Sequence, residues 1–155
     1  MSFFFLIVVI FAVLHLPPIG GAAFLATRKD KAAVAMGAAF VITGVMHFSN
    51  PERFLPMMPP RLPWPVGLIH LSGALEILGG CGLAVRRTRR PAAFGLTALL
   101  LAIFPANINV ALSGGSVPGL PEAGWYYWVR LPFQFVYIAW ALWCSRPPET
   151  NQARA

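Results

Sequence analysis

His47-Phe48-Ser49-Asn50-Pro51-Glu52-Arg53-Phe54-Leu55-Pro56-Met57-Met58-Pro59-Pro60-Arg61-Leu62-Pro63-Trp64-Pro65-Val66-Gly67-Leu68-Ile69-His70-Leu71-Ser72-Gly73-Ala74-Leu75-Glu76 decides how this chain is read. The stretch begins with a histidine at the end of one apolar run. It crosses a proline-dense connection and enters a second apolar run carrying a histidine and a carboxylate. Proline lacks a backbone donor and disfavours helix in the residue before it, so Ser49 to Pro65 is no spanning helix. Phe54, Leu55, Met57, Met58, Leu62 and Trp64 nevertheless keep the connection apolar. Such a segment is expected to lie at a membrane surface as a cap over helix ends, with Trp64 in the aromatic belt.

Composition points the same way. Hydrophobic residues make up 57% of the 155 residues and charged residues only 11%, against about 25% charged in soluble domains. A soluble fold of one domain has no means of hiding that much apolar surface. The formal net charge of +7 sits at the ends of apolar runs rather than along a stripe. That fits anionic lipid headgroups and argues against nucleic acid. Cys81 and Cys144 form no CxxC and no metal spacing, so they read as packed, reduced thiols.

The pattern predicts an all-α, polytopic transmembrane helix bundle, one domain over residues 1–145, with spans near 3–27, 32–48, 66–85, 92–112 and 125–144. Residues 146–155 read as a disordered cytoplasmic tail. The first run carries Pro17-Pro18, which should kink it. Its basic residues follow the run instead of preceding it, so it reads as a retained helix, not a signal peptide. Five spans place Arg28, Lys29, Lys31, Arg86, Arg87, Arg89, Arg90, Arg146 and Arg154 on one side and only Arg53 and Arg61 on the other. The positive-inside rule then sets the N-terminus outside and the C-terminus in the cytoplasm, in the plasma (inner) membrane. Gly37 and Gly44, seven apart, suit close helix contact.

Polar residues gather in the outer half of this layout. At helical rise, His70 lies roughly 6 Å and Glu76 roughly 15 Å into the third span, with Arg130 roughly 8 Å and Gln134 roughly 14 Å into the fifth. His47 ends the second span, and Asn107 lies in the fourth. Arg130, Gln134 and Tyr137 fall at i, i+4 and i+7 on one stripe. The candidate ligand-binding set is therefore His47, His70, Glu76, Asn107, Arg130, Gln134 and Tyr137. Asn109 points to nearly the opposite face from Asn107. A buried Glu must be paired, hydrogen-bonded or protonated, and Arg130 or Gln134 is its expected partner. Two readings stand side by side: a pocket for a small ligand such as a quinone or lipid, or interhelical polar glue. No tight spacing makes His47 and His70 metal ligands, no metal site is expected, and no catalytic residue stands out.

Several of these residues form a set that resembles the DoxX family of small membrane proteins. They are Gly44-Val45-Met46-His47-Phe48 with Pro51 and Phe54, Pro59-Pro60, Ser72-Gly73, Glu76-Ile77-Leu78-Gly79-Gly80, Arg90 with Ala92, Pro105-Ala106-Asn107, and Arg130-Leu131-Pro132-Phe133-Gln134 with Trp140. The resemblance covers roughly Ala32 to Trp143. It implies a four-helix membrane bundle to which the N-terminal span is an addition. It also implies an accessory subunit of a redox-linked system, with membrane lipids and a membrane redox partner protein as its partners and no catalysis of its own. A non-catalytic membrane assembly or chaperone subunit is the alternative.

Overall fold

The computed structural model describes residues 2–16, 23–114 and 117–146. Among them the secondary structure is helical throughout: α1 (Ser2–Val13), α2 (Arg28–Ser49), α3 (Pro65–Ala84), α4 (Arg89–Ser113) and α5 (Gly124–Ser145), with short 3-10 turns between. The second helix starts earlier than its apolar run. Thr27 and Asp30 close a capping box: the Asp30 amide donates to Thr27 Oγ1 at 3.1 Å, and the Thr27 amide donates to Asp30 Oδ2 at 3.0 Å. Reciprocal capping satisfies two otherwise unpaired amides, so helix begins at Arg28 and not at Ala32. The 22 residues of α2 then reach roughly 33 Å.

The first helix departs from expectation in the other direction. It has 12 residues and stops at Val13, a length of roughly 18 Å against a hydrocarbon core of about 30 Å. Pro17 disfavours helix at Leu16, and Pro17-Pro18 themselves lie outside the described residues. The proline-dense connection forms two 3-10 turns, Pro51–Arg53 and Leu55–Met57. Trp64 then takes a left-handed conformation (φ 55°) that turns the chain into α3, and Pro65 opens that helix where a missing N–H is harmless. Gly114 (φ 63°) ends α4 in the same left-handed region.

Among the described residues, α2, α3 and α4 are long and apolar enough to cross a membrane. The last helix has the length, with 22 residues, but Arg130, Gln134 and its Trp and Tyr residues lower its hydropathy. Leu71, Leu78, Phe94, Leu101 and Phe135 all point outward, Leu78 at 69% exposure. Water would penalise such a surface and hydrocarbon would not, so the chain is a membrane protein.

The helices α2 and α3 pack together most closely, α3 continues onto α4, α4 onto α5, and α5 returns to α2, with α1 laid against α2. Glycine decides the α2–α3 seam. A Cβ on Gly44 would sit 2.7 Å from the Gly73 carbonyl oxygen, and one on Gly80 would sit 2.5 Å from that of Gly37. The two backbones therefore touch at two levels, each helix contributing glycines seven residues apart. The other face of α3 meets α4 through side chains, with Gly82 under the Ala92 methyl and Gly79 under Leu96.

At the basic end of these helices, Asp30 does more than cap. Arg86 donates to it from Nε at 3.0 Å and from Nη2 at 2.6 Å, and Arg89 from Nη1 at 2.9 Å. Arg89 also donates through Nε to the Leu83 carbonyl at 2.9 Å, near the C-terminus of α3. Asp30 and Arg89 are buried, while the Arg86 side chain is 59% exposed. Its hydrogen bond to Asp30, and then the Asp30 charge, raise the Arg86 pKa above its usual value.

Two outcomes check this packing. Gly44→Ala and Gly73→Ala should each destabilise the protein by about 1–3 kcal/mol in a detergent unfolding titration. Gly95→Ala, where a Cβ meets nothing within 4 Å, should be neutral or stabilising by up to about 1 kcal/mol. Equal effects at all three positions would contradict the seam. Asp30→Asn should cost about 3 kcal/mol by leaving the Arg89 charge buried without its counter-ion. Adding Arg89→Leu should recover part of that loss, and failure to recover any would count against the clamp.

Candidate functional site

Glycine contact at the α2–α3 seam sets the first wall of the site. Glu76 lies between Gly73 and Gly80 on the face of α3 that meets α2. With no side chains separating the helices, Glu76 reaches directly onto α2, where Thr43 Oγ1 donates to its Oε2 at 2.9 Å. The same hydroxyl has two helix carbonyls nearby, Ala39 at 3.1 Å and Phe40 at 3.2 Å. Its one proton has Glu76 as the nearest acceptor. One turn on, His47 Nδ1 donates to the Thr43 carbonyl at 2.8 Å. It stands 3.7 Å from Glu76 Oε2, too far for a hydrogen bond. Phe54 of the cap stacks on the His47 ring at 4.0 Å and 13°, which fixes the imidazole from above.

The second wall comes from α4 and α5. Asn107 Nδ2 donates to Gln134 Oε1 at 2.8 Å, and Gln134 Nε2 donates to the Leu100 carbonyl. Both ends of the Gln134 amide are thus committed. Pro105 and Pro132 lie inside the two helices near this point, each removing one intrahelical donor. Arg130, one turn from Gln134, lies with its guanidinium 6.0 Å from the Tyr126 ring centre. Its Nη1 is buried without a hydrogen-bond partner.

Between these walls is a cavity of about 400 Å³. Thr43, His47, Glu76, Asn107, Arg130, Gln134 and Tyr137 line it, with Phe40, Leu100 and Ile103 as apolar wall. Phe3 and Leu6 of α1 close one side, and Phe3 packs on Phe40 and Tyr137 with ring centres 5.0 and 4.9 Å away. The cap and the segment after α4 form the mouth. Arg53 Nε donates to the Pro118 carbonyl at 2.9 Å, and the Tyr127 hydroxyl accepts from the Val117 amide at 2.8 Å. Asn109 points away from the cavity and holds the Met57 and Met58 carbonyls of the cap, each at 3.3 Å.

Two expectations change. His70 does not line the cavity; it stacks on Phe48 at 5.2 Å and 10°. It is six residues before Glu76, a spacing that does not share a helical stripe, so it falls to one side of the cavity. Glu76 and Arg130 share the cavity but form no ion pair within 4.0 Å among the described residues. The tight seam lets Thr43 reach Glu76 first, and Arg130 stays beside the Tyr126 ring across the space. Thr43 and Arg53 were not among the expected site residues. The signal for Thr43 was present in its i, i+4 spacing to His47 beside Gly44. No group of three or more His, Cys, Asp or Glu suited to a metal occurs among the described residues.

Comparison with known proteins bears on this region directly. A family model, a domain of unknown function (DUF8561), matches residues 36–145. The chain belongs to this family. The DUF8561 match takes in the polar lining residues from Thr43 to Tyr137 and leaves α1 outside. The chain is also similar to a WAT1-related protein of Arabidopsis thaliana, 33% identical over 93 residues, which is 56% of this chain and 26% of that protein. The chain thus spans about a quarter of the relative's length. No solved structure matches. These matches overturn the DoxX resemblance and remove the ground for a redox role that rested on it. The small residues, helix prolines and isolated polar groups behind that resemblance are common to packed membrane helices in general.

The Asn107–Gln134 bond yields a measurable coupling. A double-mutant cycle of Asn107→Leu and Gln134→Leu, by unfolding in detergent, should give about 0.6–1.7 kcal/mol, the range of interhelical hydrogen bonds in membranes. Coupling indistinguishable from zero would mean that the two amides are not partners.

Proposed function

We propose that this member of the DUF8561 family is a membrane-embedded binding protein for a small lipid-like molecule, a class that includes the quinones. The observation that carries the reading is the cavity itself. Its volume of about 400 Å³ falls within the about 300–1,000 Å³ typical of small-molecule sites. Its lining is mainly apolar and aromatic, with a few polar groups converging on it, the composition that holds an apolar body and orients one polar end. Interhelical glue would bring Glu76, Asn107 and Gln134 together, but it would leave no space between them. The clustering of Arg28, Lys29, Lys31 and the Arg86–Arg90 segment at the end away from the cap supports a mouth facing outward from the cytoplasm. The role proposed is binding, since the polar groups of the lining are engaged by one another and by helix carbonyls.

The test is a cavity-filling variant. Wild-type protein purified in nanodiscs should retain a small amphiphile detectable by mass spectrometry of the denatured sample, or show a thermal shift with added amphiphiles. Ile103→Trp, which places an indole in the cavity, should abolish both while the protein still folds. Retention and shift that are the same in the filled variant would place the ligand elsewhere and sink the proposal.

A further inference from the structure

The charges around this cavity are unequal. Arg53 and Arg130 line it, against the single carboxylate of Glu76. Glu76 is engaged by Thr43 at 2.9 Å and flanked by His47. Arg53 has a carbonyl partner, Pro118, at the mouth. The neutral amides are engaged as well, since Gln134 accepts from Asn107 and donates to Leu100. Arg130 alone among these lining cations brings an unpartnered, buried nitrogen, Nη1, and no described carboxylate lies within ion-pair distance of it.

A guanidinium stays charged at any pH a protein survives, and it presents a planar fork of donors suited to carboxylate or phosphate. A buried cation without a counter-ion is costly to keep. On the reading of the cavity as an amphiphile site, we infer that Arg130 receives an oxyanion, the head group of an amphiphile whose apolar body lies along Leu6, Phe40, Leu100 and Ile103. A neutral carbonyl head would leave the Arg130 charge uncompensated. A cationic head would face two arginines and meet a carboxylate already held by Thr43. The oxyanion head therefore sits on the α5 wall, away from Glu76.

One apolar body with four heads tests the inference. Decanoate, decyl phosphate, decanol and decylamine are titrated into wild-type, Arg130→Gln and Arg130→Lys proteins in phosphatidylcholine nanodiscs, with binding read by thermal shift and tryptophan fluorescence. Partitioning of each amphiphile is measured in empty discs of the same composition, and affinities are compared after that correction. The wild type should bind at least one of the two oxyanions about tenfold or more tighter than decanol, as expected for a charge-assisted hydrogen bond in place of a neutral one. Which of the two is preferred identifies the head as carboxylate or phosphate. Arg130→Gln should bind the oxyanions and decanol alike, and Arg130→Lys should keep the preference. Equal binding of decanol and the oxyanions by the wild type, or a preference surviving Arg130→Gln, overturns the inference and leaves the cavity proposal standing. Tightest binding of decylamine also overturns it. Binding of none of the four ends both, so the two failures are distinct. Retained decanol binding shows that a variant is folded, and the wild-type series is decisive even if one variant is not.

Discussion

Asp30 is the point at which three helices are tied. Its carboxylate closes the capping box that starts α2 and accepts from Arg86 and Arg89. Arg89, at the start of α4, reaches back to the Leu83 carbonyl of α3. A single buried acid thus sets the relative height of α2, α3 and α4. The height matters because the glycines of α2 and α3 must meet in register, Gly37 with Gly80 and Gly44 with Gly73. A slip of one turn would drive Phe40 or Val41 against the opposing backbone. It would also carry Thr43 away from Glu76. The polar wall of the cavity consequently depends on an ion cluster at the opposite end of the same helices.

Buried charge is handled in two different ways in this molecule. At the basic end, acid and arginines lie in mutual contact, and each remaining oxygen finds a donor. In the cavity, the acid and the arginine stand apart, each with local company: Thr43 and His47 for Glu76, the Tyr126 ring for Arg130. The first arrangement is what a structural ion pair looks like. The second sets an acid and an arginine on opposite sides of a space, where a charge without a partner is costly in a low-dielectric interior.

Much of the fold was legible in the residues, because length and apolarity are strong signals in a membrane. The runs that became α3, α4 and α5 are uninterrupted, and their ends moved by only a few residues. The proline-rich connection announced a non-helical cap for the same reason that it forms 3-10 turns. The start of α2 was misplaced because Arg28, Lys29 and Lys31 look like a boundary, whereas the Thr27–Asp30 capping box continues helix through them. The end of α1 was misplaced because an apolar run does not tell where a helix stops. In the site, the Arg130–Gln134–Tyr137 stripe and the opposite directions of Asn107 and Asn109 follow from helical periodicity alone. Depth put Glu76 near Arg130, but partner choice lay beyond depth. It was settled by how closely α2 and α3 approach, which depends on pairing glycines of different helices. Arg86 and Arg89 read as topology markers, since nothing in their spacing shows that Asp30 lies beside them.

The glycine seam also has a mechanical side. Contact between two backbones has no rotamers to rearrange and no flexible tips to yield, so α2 and α3 behave as one rigid plank. A molecule entering the cavity cannot push them apart without opening both glycine levels at once. The compliance must come from the facing helices, where Pro105 and Pro132 have each removed a rung of the hydrogen-bond ladder. The cavity is thus a hard jaw opposed by a bending one, and Arg130 rides on the jaw that bends.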